Sequence, residues 1–424
     1  MRVRSVESLA PAERGSLFDR DSGVEAVRED VRDILERVRT EGDVALRAFA
    51  EEFDGVNVGN LEVTDQAERA VDAIDDDVRR AVEDAAANVR SFHERQVPED
   101  WLSTVAEGRE LGRRFSPIES AGVYAPGGTA AYPSSVLMGV IPAKVAGVDH
   151  VAVATPPAES LPQATLAAAE IAGADAVFQV GGAQAIGAFA YGTETVSPVE
   201  KVVGPGNKWV TAAKAEVRDA VAIDFLAGPS EVLVVADETA DPDAVAADMV
   251  AQAEHDPEAA VVCVTADDGT ADAVAQAVES HAAGRQREET IRQALGNDAS
   301  GVFLARSTSE AVLFAESYAP EHLSIQADDA EALLDRIPSA GSAFLGRYSP
   351  VAAGDYATGT NHVLPTGGGA RVVGGLSVDT FRRSTTVQRL SEAGLADLRE
   401  TVTTLADVEG LEAHAHSVDA RFDE

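Results

Sequence analysis

Four places in the chain put reactive side chains at usable spacings. Gln252 and His255 lie three apart at the end of a segment, 241–255, that reads as a helix. An i, i+3 pair shares one helix face, and such spacing is how a helix offers two ligands to one metal ion; the alternative is a solvated helix end. Asp355, in Gly354-Asp355-Tyr356, occupies a loop that can bring a carboxylate to a metal, or is a plain turn aspartate. His414, in Glu412-Ala413-His414-Ala415-His416, is open in the same way, with His416 as a rival ligand. Glu321-His322 follows Pro320 and offers a carboxylate beside an imidazole. Neighbours on a strand point to opposite faces, but at a turn they converge. Both groups have pKa values that can be moved toward neutrality, as general acid–base catalysis requires. The competing reading is a strand-entry turn.

Two glycine turns, Gly181-Gly182-Ala183-Gln184 and Gly204-Pro205-Gly206-Asn207, each fall between an expected strand and an expected helix. Glycines there let a ligand approach backbone N–H groups at a helix N-terminus. Neither is the G-x-G-x-x-G dinucleotide fingerprint, so generic turns and a ligand site both stay open.

The elements that must position these residues read as follows. Residues 24–54 and 64–95 are amphipathic helices: Val27, Val31, Ile34, Leu35 and Val38 keep to one face. Residues 96–107 read as loop. From residue 120 the pattern changes. Apolar runs at 122–124, 150–155, 176–180 and 201–203 read as strands alternating with helices at 134–146, 161–172, 183–190 and 207–217. A second cycle has strands at 232–236, 260–265 and 301–304, with helices at 241–255, 271–282 and 307–317. Such alternation means parallel sheets with right-handed crossovers. The expected fold is α/β: two Rossmann-like parallel α/β domains, an N-terminal helical segment and a C-terminal helical arm. The expected boundaries are an arm at 1–23, a discontinuous α/β domain at 24–123 plus 232–376, an inserted α/β domain at 124–231, and a helical arm at 377–424. Within the discontinuous domain, 346–376 is a long glycine-rich loop, the kind that is usually functional or disordered.

Composition narrows the function. The chain has 424 residues, 72 acidic against 34 basic, a formal charge of −38. That sign argues against a nucleic-acid binder, which needs cations to meet phosphates, and against an anionic-membrane protein. Only four cations are lysines: Lys144, Lys201, Lys208 and Lys214. An acidic, lysine-poor surface suits molar salt, where a Debye length of about 3 Å screens the self-repulsion. A halophilic protein that unfolds or dissociates in low salt is expected. One cysteine, Cys263, lies in an apolar run and reads as a buried strand thiol; no intrachain disulfide is possible, which suits the cytoplasm. No apolar run approaches the ~18–20 residues of a membrane span, and the N-terminus lacks a signal-peptide apolar region.

Taken together, the motifs resemble the histidinol dehydrogenase family, in an acidic, haloarchaeal-type version, from about residue 20 onward. The matching blocks are Val123-Tyr124-Ala125-Pro126-Gly127-Gly128, Gly181-Gly182-Ala183-Gln184-Ala185-Ile186, Val203-Gly204-Pro205-Gly206-Asn207, Ala227-Gly228-Pro229-Ser230-Glu231, Gln252-Ala253-Glu254-His255, Pro320-Glu321-His322-Leu323, and the run from Gly354-Asp355-Tyr356 through Asn361-His362 to Pro365-Thr366. The resemblance implies NAD-dependent oxidation of L-histidinol to L-histidine through L-histidinaldehyde. It implies one Zn2+ per subunit on Gln252, His255, Asp355 and His414. His322 would move protons and Glu321 would activate water. Tyr124, Gln184 and Asn207 would contact NAD, the inserted domain being the NAD-binding one. Ser230, Glu409 and His414 would contact substrate, together with Gln252, His255, His322 and Asp355. It also implies a homodimer with exchanged C-terminal arms. His362 is given a loop-positioning role, and His93, His150 and His281 are read as core or surface residues.

Rival readings are a related zinc and NAD dehydrogenase for another small amino or sulfo alcohol, a zinc hydrolase using Glu321, and an inactive binding module. Ser230 and Glu409 favour histidinol over the first, and the intact Glu321-His322 pair argues against the last.

Overall fold

Runs such as Val151-Ala152-Val153, Val232-Leu233-Val234-Val235 and Val261-Val262-Cys263-Val264 have no polar face, and every one of these residues is buried. Strands of that kind belong in parallel sheets covered on both sides. The computed structural model describes residues 1–18, 20, 23–127 and 131–422. Among these described residues are fourteen strands: β1 (Val3–Ser5), β2 (Trp101–Ala106), β3 (Arg109–Pro117), β4 (Ser120–Tyr124), β5 (His150–Thr155), β6 (Ala176–Gln179), β7 (Lys201–Val203), β8 (Ala222–Ile223), β9 (Glu231–Ala236), β10 (Ala260–Thr265), β11 (Gly301–Leu304), β12 (His322–Gln326), β13 (Ser342–Leu345) and β14 (Arg382–Leu390).

A five-stranded sheet has the order β6-β5-β4-β7-β8, every pair parallel. The chain starts in the middle, winds outward through β5 and β6, then returns to the other side of β4 for β7 and β8. That is the doubly wound path, with its reversal between β4 and β7. A six-stranded sheet has the order β1-β11-β10-β9-β12-β13, also parallel. It repeats the same path from β9, with its reversal between β9 and β12. The expected α/β class with two parallel sheets is what the chain adopts, and the two units share an architecture without sharing a sequence repeat.

Both sheets lie in one compact unit, Met1–Gln96 with Glu119–Phe381. The stretch expected as helix over 24–54 is two helices, Val24–Glu41 and Asp43–Asp54, broken at Gly42, whose φ of +57° suits glycine. Their apolar face (Val31, Leu35, Val38, Leu46, Phe49) shares a core with Phe178, Ile186, Phe189 and Val202 of the five-stranded layer. Sequence reading grouped these helices with 232–376. The 64–95 stretch likewise divides into Thr64–Ala73 and Asp76–Glu94. Residues 3–5, expected in a leading arm, form the edge strand on β11, from Val3 opposite Val302 to Ser5 opposite Leu304.

The second compact unit consists of residues 97–118 and 382–422. Its sheet, β14-β3-β2, is antiparallel, with β14 matched to β3 from Arg382 opposite Pro117 to Leu390 opposite Arg109. Two helices follow, Glu392–Val408 and Glu412–Asp419, joined by an Arg399–Asp419 ion pair at 2.7 Å. Two sequence readings are corrected here: 96–107 contains strand β2 rather than being all loop, and 377–424 is not all helical, since it contains strand β14.

Candidate active site

The helix Thr308–Tyr318 ends at Ala319, whose φ of +50° makes it the one non-glycine with positive φ among the described residues. A left-handed alanine costs about 1–2 kcal/mol. The turn it makes delivers Pro320 and Glu321 to the head of β12. Glu321 Oε2 accepts the Glu231 N–H at 2.7 Å, and the Glu321 carbonyl accepts the Ser342 N–H at 2.9 Å. His322 Nδ1 lies 3.0 Å from the Glu231 carbonyl oxygen. A carbonyl only accepts, so Nδ1 bears the hydrogen and Nε2 is the nitrogen able to exchange protons. That Nε2 is buried without a hydrogen-bond partner, 3.5 Å from Asp355 Oδ1 and too far for a normal bond. His322 Nδ1 and Glu321 Oε2 are 3.6 Å apart. The pair therefore converges, as the acid–base reading requires.

Asp355 stands on a short helix, Val351–Tyr356, where sequence reading expected a flexible loop. Asp248, buried one turn before Gln252, faces the backbone at Val351, where that helix starts. His362 Nδ1 donates to the Asp355 carbonyl at 2.8 Å, a positioning contact of the kind expected. Gln252 is buried on the helix Pro242–Ala253, which Asp241 caps through the Asp243 N–H, and its Nε2 has no protein partner. His255, just past that helix, feels the charges of Asp355 and His322. His93 is a satisfied core histidine, its Nδ1 2.7 Å from the Val89 carbonyl.

Burial shapes the electrostatics. It pushes the Glu321 carboxyl up, and the neighbouring imidazole only partly offsets it. Burial alone would lower His322, but Glu321 and Asp355 outweigh it and the imidazole moves up. The two side chains titrate as a coupled pair. Burial raises Asp355 too, yet His322, His362 and His255 hold it below the usual carboxylate range. Burial holds His255 below its ordinary value despite Asp355. At neutral pH Asp355 is thus an anion and His255 a neutral imidazole, the forms that ligate metal.

The structure gathers Gln252, His255, Asp355, Glu321 and His322 in one unit. Ser230 directly precedes Glu231 in the same unit, half-buried, its carbonyl accepting the Ala260 N–H. Glu409 and His414 belong to the second unit and are exposed there, Glu409 ending the helix Glu392–Val408 and His414 inside Glu412–Asp419. Among the described residues, no group of three or more His, Cys, Asp or Glu side chains is arranged to hold a metal ion.

The second candidate region lies at the C-terminal end of the five-stranded sheet. Tyr124 ends β4; its buried hydroxyl accepts the Gly182 N–H at 3.1 Å, tying β4 to the turn that begins the helix Gly182–Tyr191. Gln184 is buried in the first turn of that helix. Asn207 caps the helix Lys208–Glu216 by accepting the Trp209 and Val210 N–H groups at 3.0 and 3.3 Å. Gly204 has a φ of +115°, and a Cβ there would lie 2.2 Å from the Tyr124 carbonyl oxygen. These residues flank the β4/β7 reversal, where doubly wound sheets bind ligands. Gly128, the last residue of one motif quoted above, falls outside the described residues.

Seven residues separate β8 from β9, and they bring the regions together. Asp224 accepts the Gly204 N–H at 2.9 Å and the Lys214 ammonium at 2.7 Å, while Lys214 also donates to the Gly204 carbonyl at 2.5 Å. Thr211 donates to the Ala227 carbonyl at 2.7 Å, and the Gly228 N–H reaches Thr366 Oγ1 at 2.5 Å. A cleft of about 160 Å³ lies here, lined by residues that include Leu226, Pro229 and Glu231. Sequence reasoning missed the Lys214–Asp224 pair. The nearest signal was that all four lysines fall between 144 and 214.

The family model for histidinol dehydrogenase matches residues 19–422. The chain is 73% identical to the histidinol dehydrogenase of Haloarcula marismortui over 423 residues, covering both chains fully. It is 48% identical to that of Methanosarcina barkeri, covering all of this chain and 98% of the other. The crystal structure of histidinol dehydrogenase from Elizabethkingia anophelis superposes with a TM-score of 0.94 at 37% identity, covering all of this chain and 98% of that one. The chain belongs to the histidinol dehydrogenase family and is an oxidoreductase of histidine biosynthesis.

Proposed function

We propose that the chain oxidises L-histidinol to L-histidine in two successive hydride transfers, with L-histidinaldehyde between them. The single observation that carries this reading is the buried Glu321-His322 pair at the head of β12, with the His322 Nε2 unpartnered and its tautomer set by the Glu231 carbonyl.

His322 Nε2 takes the hydroxyl proton as hydride leaves the carbinol carbon. Glu321, made a stronger base by burial, takes a proton from water as the water oxygen bonds to the aldehyde carbon. His322 passes its proton to the aldehyde oxygen, and the resulting gem-diol gives a hydroxyl proton to the freed His322 Nε2 as the second hydride departs. NAD+, when bound, accepts each hydride; Tyr124, Gln184 and Asn207 would hold it, with residues 124–231 as the nucleotide-binding domain. Zinc, when bound, would orient the imidazole and amine of the substrate. Gln252, His255, Asp355 and His414 would hold it. Three of them fit: Asp355 is kept anionic, His255 is kept neutral, and the Gln252 amide is buried without a protein partner. Ser230 and Glu409 would contact the hydroxyl and ammonium region of the substrate.

The C-terminal residues 377–424 would reach a neighbouring subunit of a homodimer. Few residues of the two C-terminal helices are buried within the chain, Gly394 and Ala406 in one and Ala415 and Val418 in the other, which supports that role. The formal charge of −38 with four lysines supports work in molar salt in the cytoplasm, and no helix among the described residues is long and apolar enough to cross a membrane. The direct test is NADH absorbance with L-histidinol in molar salt, before and after chelation. Two NADH per histidinol, lost on chelation and recovered with zinc, is the expected result; no NADH in the presence of zinc overturns the reading.

A further inference from the structure

Behind the Glu321-His322 pair lies an ion pair that takes no part in the chemistry above. Arg20 Nε and Nη2 meet both carboxylate oxygens of Glu231, at 2.5 and 3.0 Å. Both side chains are almost wholly buried, 6% and 2% exposed. The Arg20 guanidinium stacks on the Tyr318 ring at 3.8 Å and donates to the Tyr318 and Leu17 carbonyls at 3.1 and 3.2 Å. Glu231 Oε1 also accepts the Gly367 N–H at 2.7 Å. Glu231 in turn touches both members of the reactive pair. Its N–H holds Glu321 Oε2, its carbonyl holds His322 Nδ1, and its Oε2 lies 3.4 Å from the Glu321 N–H.

A buried arginine–carboxylate pair is weak support for stability. Desolvation of the two charges commonly offsets their attraction, and apolar replacements are often neutral or stabilising. This one is spent at a point where orientation matters, since both oxygens of Glu231 are fixed and its backbone fixes two reacting groups. We propose that Arg20 and Glu231 are positioning residues that aim the Glu321 carboxyl at the water it activates. The inference rests on the water-activating reading of Glu321.

The two reacting groups are held differently. His322 is held by the Glu231 carbonyl, which belongs to β9 and is kept in place by the neighbouring strands β10 and β12. Glu321 is in addition met by the Glu231 side chain. Disturbing that side chain therefore affects Glu321 more than His322. Arg20 also supplies the positive charge that lets the Glu231 carboxylate sit against the Glu321 backbone without adding an uncompensated anion beside a second carboxyl.

The test follows the two half-reactions separately, from histidinol and from histidinaldehyde, in single turnovers with NAD+. Glu231→Gln keeps the volume and backbone but loses the ion pair. It is expected to slow aldehyde oxidation about tenfold or more and alcohol oxidation by less than about threefold. Arg20→Lys keeps the charge but not the two-pronged contact, and is expected to fall between wild type and Arg20→Met in the same ratio. Melting of the protein alone gives the independent readout. Arg20→Met, which strands a buried carboxylate, melts lower, and the double variant Arg20→Met/Glu231→Met recovers the melting temperature without recovering the aldehyde step. Equal slowing of both steps, or recovery of the aldehyde step along with stability, overturns the positioning role. Glu321→Gln is the control. If it fails to slow the aldehyde step selectively, the water-activation reading falls; if it does so while Glu231→Gln does not, only the role of Arg20 and Glu231 falls.

Discussion

The two parallel sheets follow one path through space and carry their candidate residues at opposite ends. In the five-stranded sheet the candidate ligand residues, Tyr124, Gly204 and Asn207, follow the C-terminal ends of β4 and β7, at the reversal where doubly wound folds bind nucleotides. In the six-stranded sheet Glu231, Glu321 and His322 stand at the N-terminal ends of β9 and β12, the wrong end by that rule. The connection between the sheets explains the inversion. Only seven residues run from β8 to β9, so the C-terminal edge of one sheet leads directly to the N-terminal edge of the next. The ends also solve different problems. Backbone N–H groups at helix starts suit a phosphate-bearing ligand, whereas the strand heads form a buried niche that holds a carboxyl and an imidazole close together. Strand order alone therefore does not place the candidate residues; the linker that joins the two edges does.

Substitutions at the two edges separate these roles. The largest effect is expected from His322→Ala, which removes the proton-exchanging nitrogen: kcat with histidinol falls by about 10²–10⁴-fold, while NAD+ affinity measured by titration stays unchanged. Loss of NAD+ binding in that variant would erase the division of labour. Gly204→Ala acts at the other edge. Its Cβ would collide with the Tyr124 carbonyl at a φ of +115°, a strain of about 1–3 kcal/mol; the NAD+ dissociation constant is expected to rise by about tenfold or more with the single-turnover hydride rate nearly intact. A slowed hydride step at saturating NAD+ would place this turn in the chemistry instead. Glu321→Gln is expected to slow aldehyde oxidation by about tenfold relative to alcohol oxidation, sharpening the comparison within the strand-head site itself. The smallest effect belongs to Tyr124→Phe. It leaves the Gly182 N–H without its acceptor, a loss of about 1 kcal/mol, seen as about a fivefold weaker NAD+ dissociation constant with unchanged kcat.

Much of this was legible in the chain because burial on both faces leaves a local signature. The strands β5, β7, β10 and β11 fall on the apolar runs that predicted them, and the closeness of Glu321 and His322 follows from their adjacency, whereas the helix expected to carry both Gln252 and His255 ends at Ala253 and leaves His255 in the turn beyond it. The sheet β14-β3-β2 left no such signature. Trp101, Leu102, Val105 and Leu111 are largely exposed, and Arg113, Arg114 and Arg383 are exposed as well, so neither alternation nor an apolar run marks it. Strand β1 is three residues long and takes its conformation from its register on β11, 299 positions away at Val3–Val302. The Arg20–Glu231 and Lys214–Asp224 pairs were illegible for a related reason. Each arginine, lysine or carboxylate alone looks like one of many surface charges, and only tertiary packing buries it against its partner. Asp355 shows the converse: the residue was identified, but the short helix Val351–Tyr356 that carries it is announced by no local pattern.

The most direct measurement is a crystal structure of the protein with NAD+ and L-histidinol bound together. The expected result has the nucleotide along Tyr124, Gly204 and Asn207 and the carbinol carbon against His322 Nε2. A nucleotide lying instead beyond Ala236 and Gln326, at the C-terminal ends of β9 and β12, or an alcohol out of reach of His322, would contradict the assignment of opposite edges to binding and chemistry.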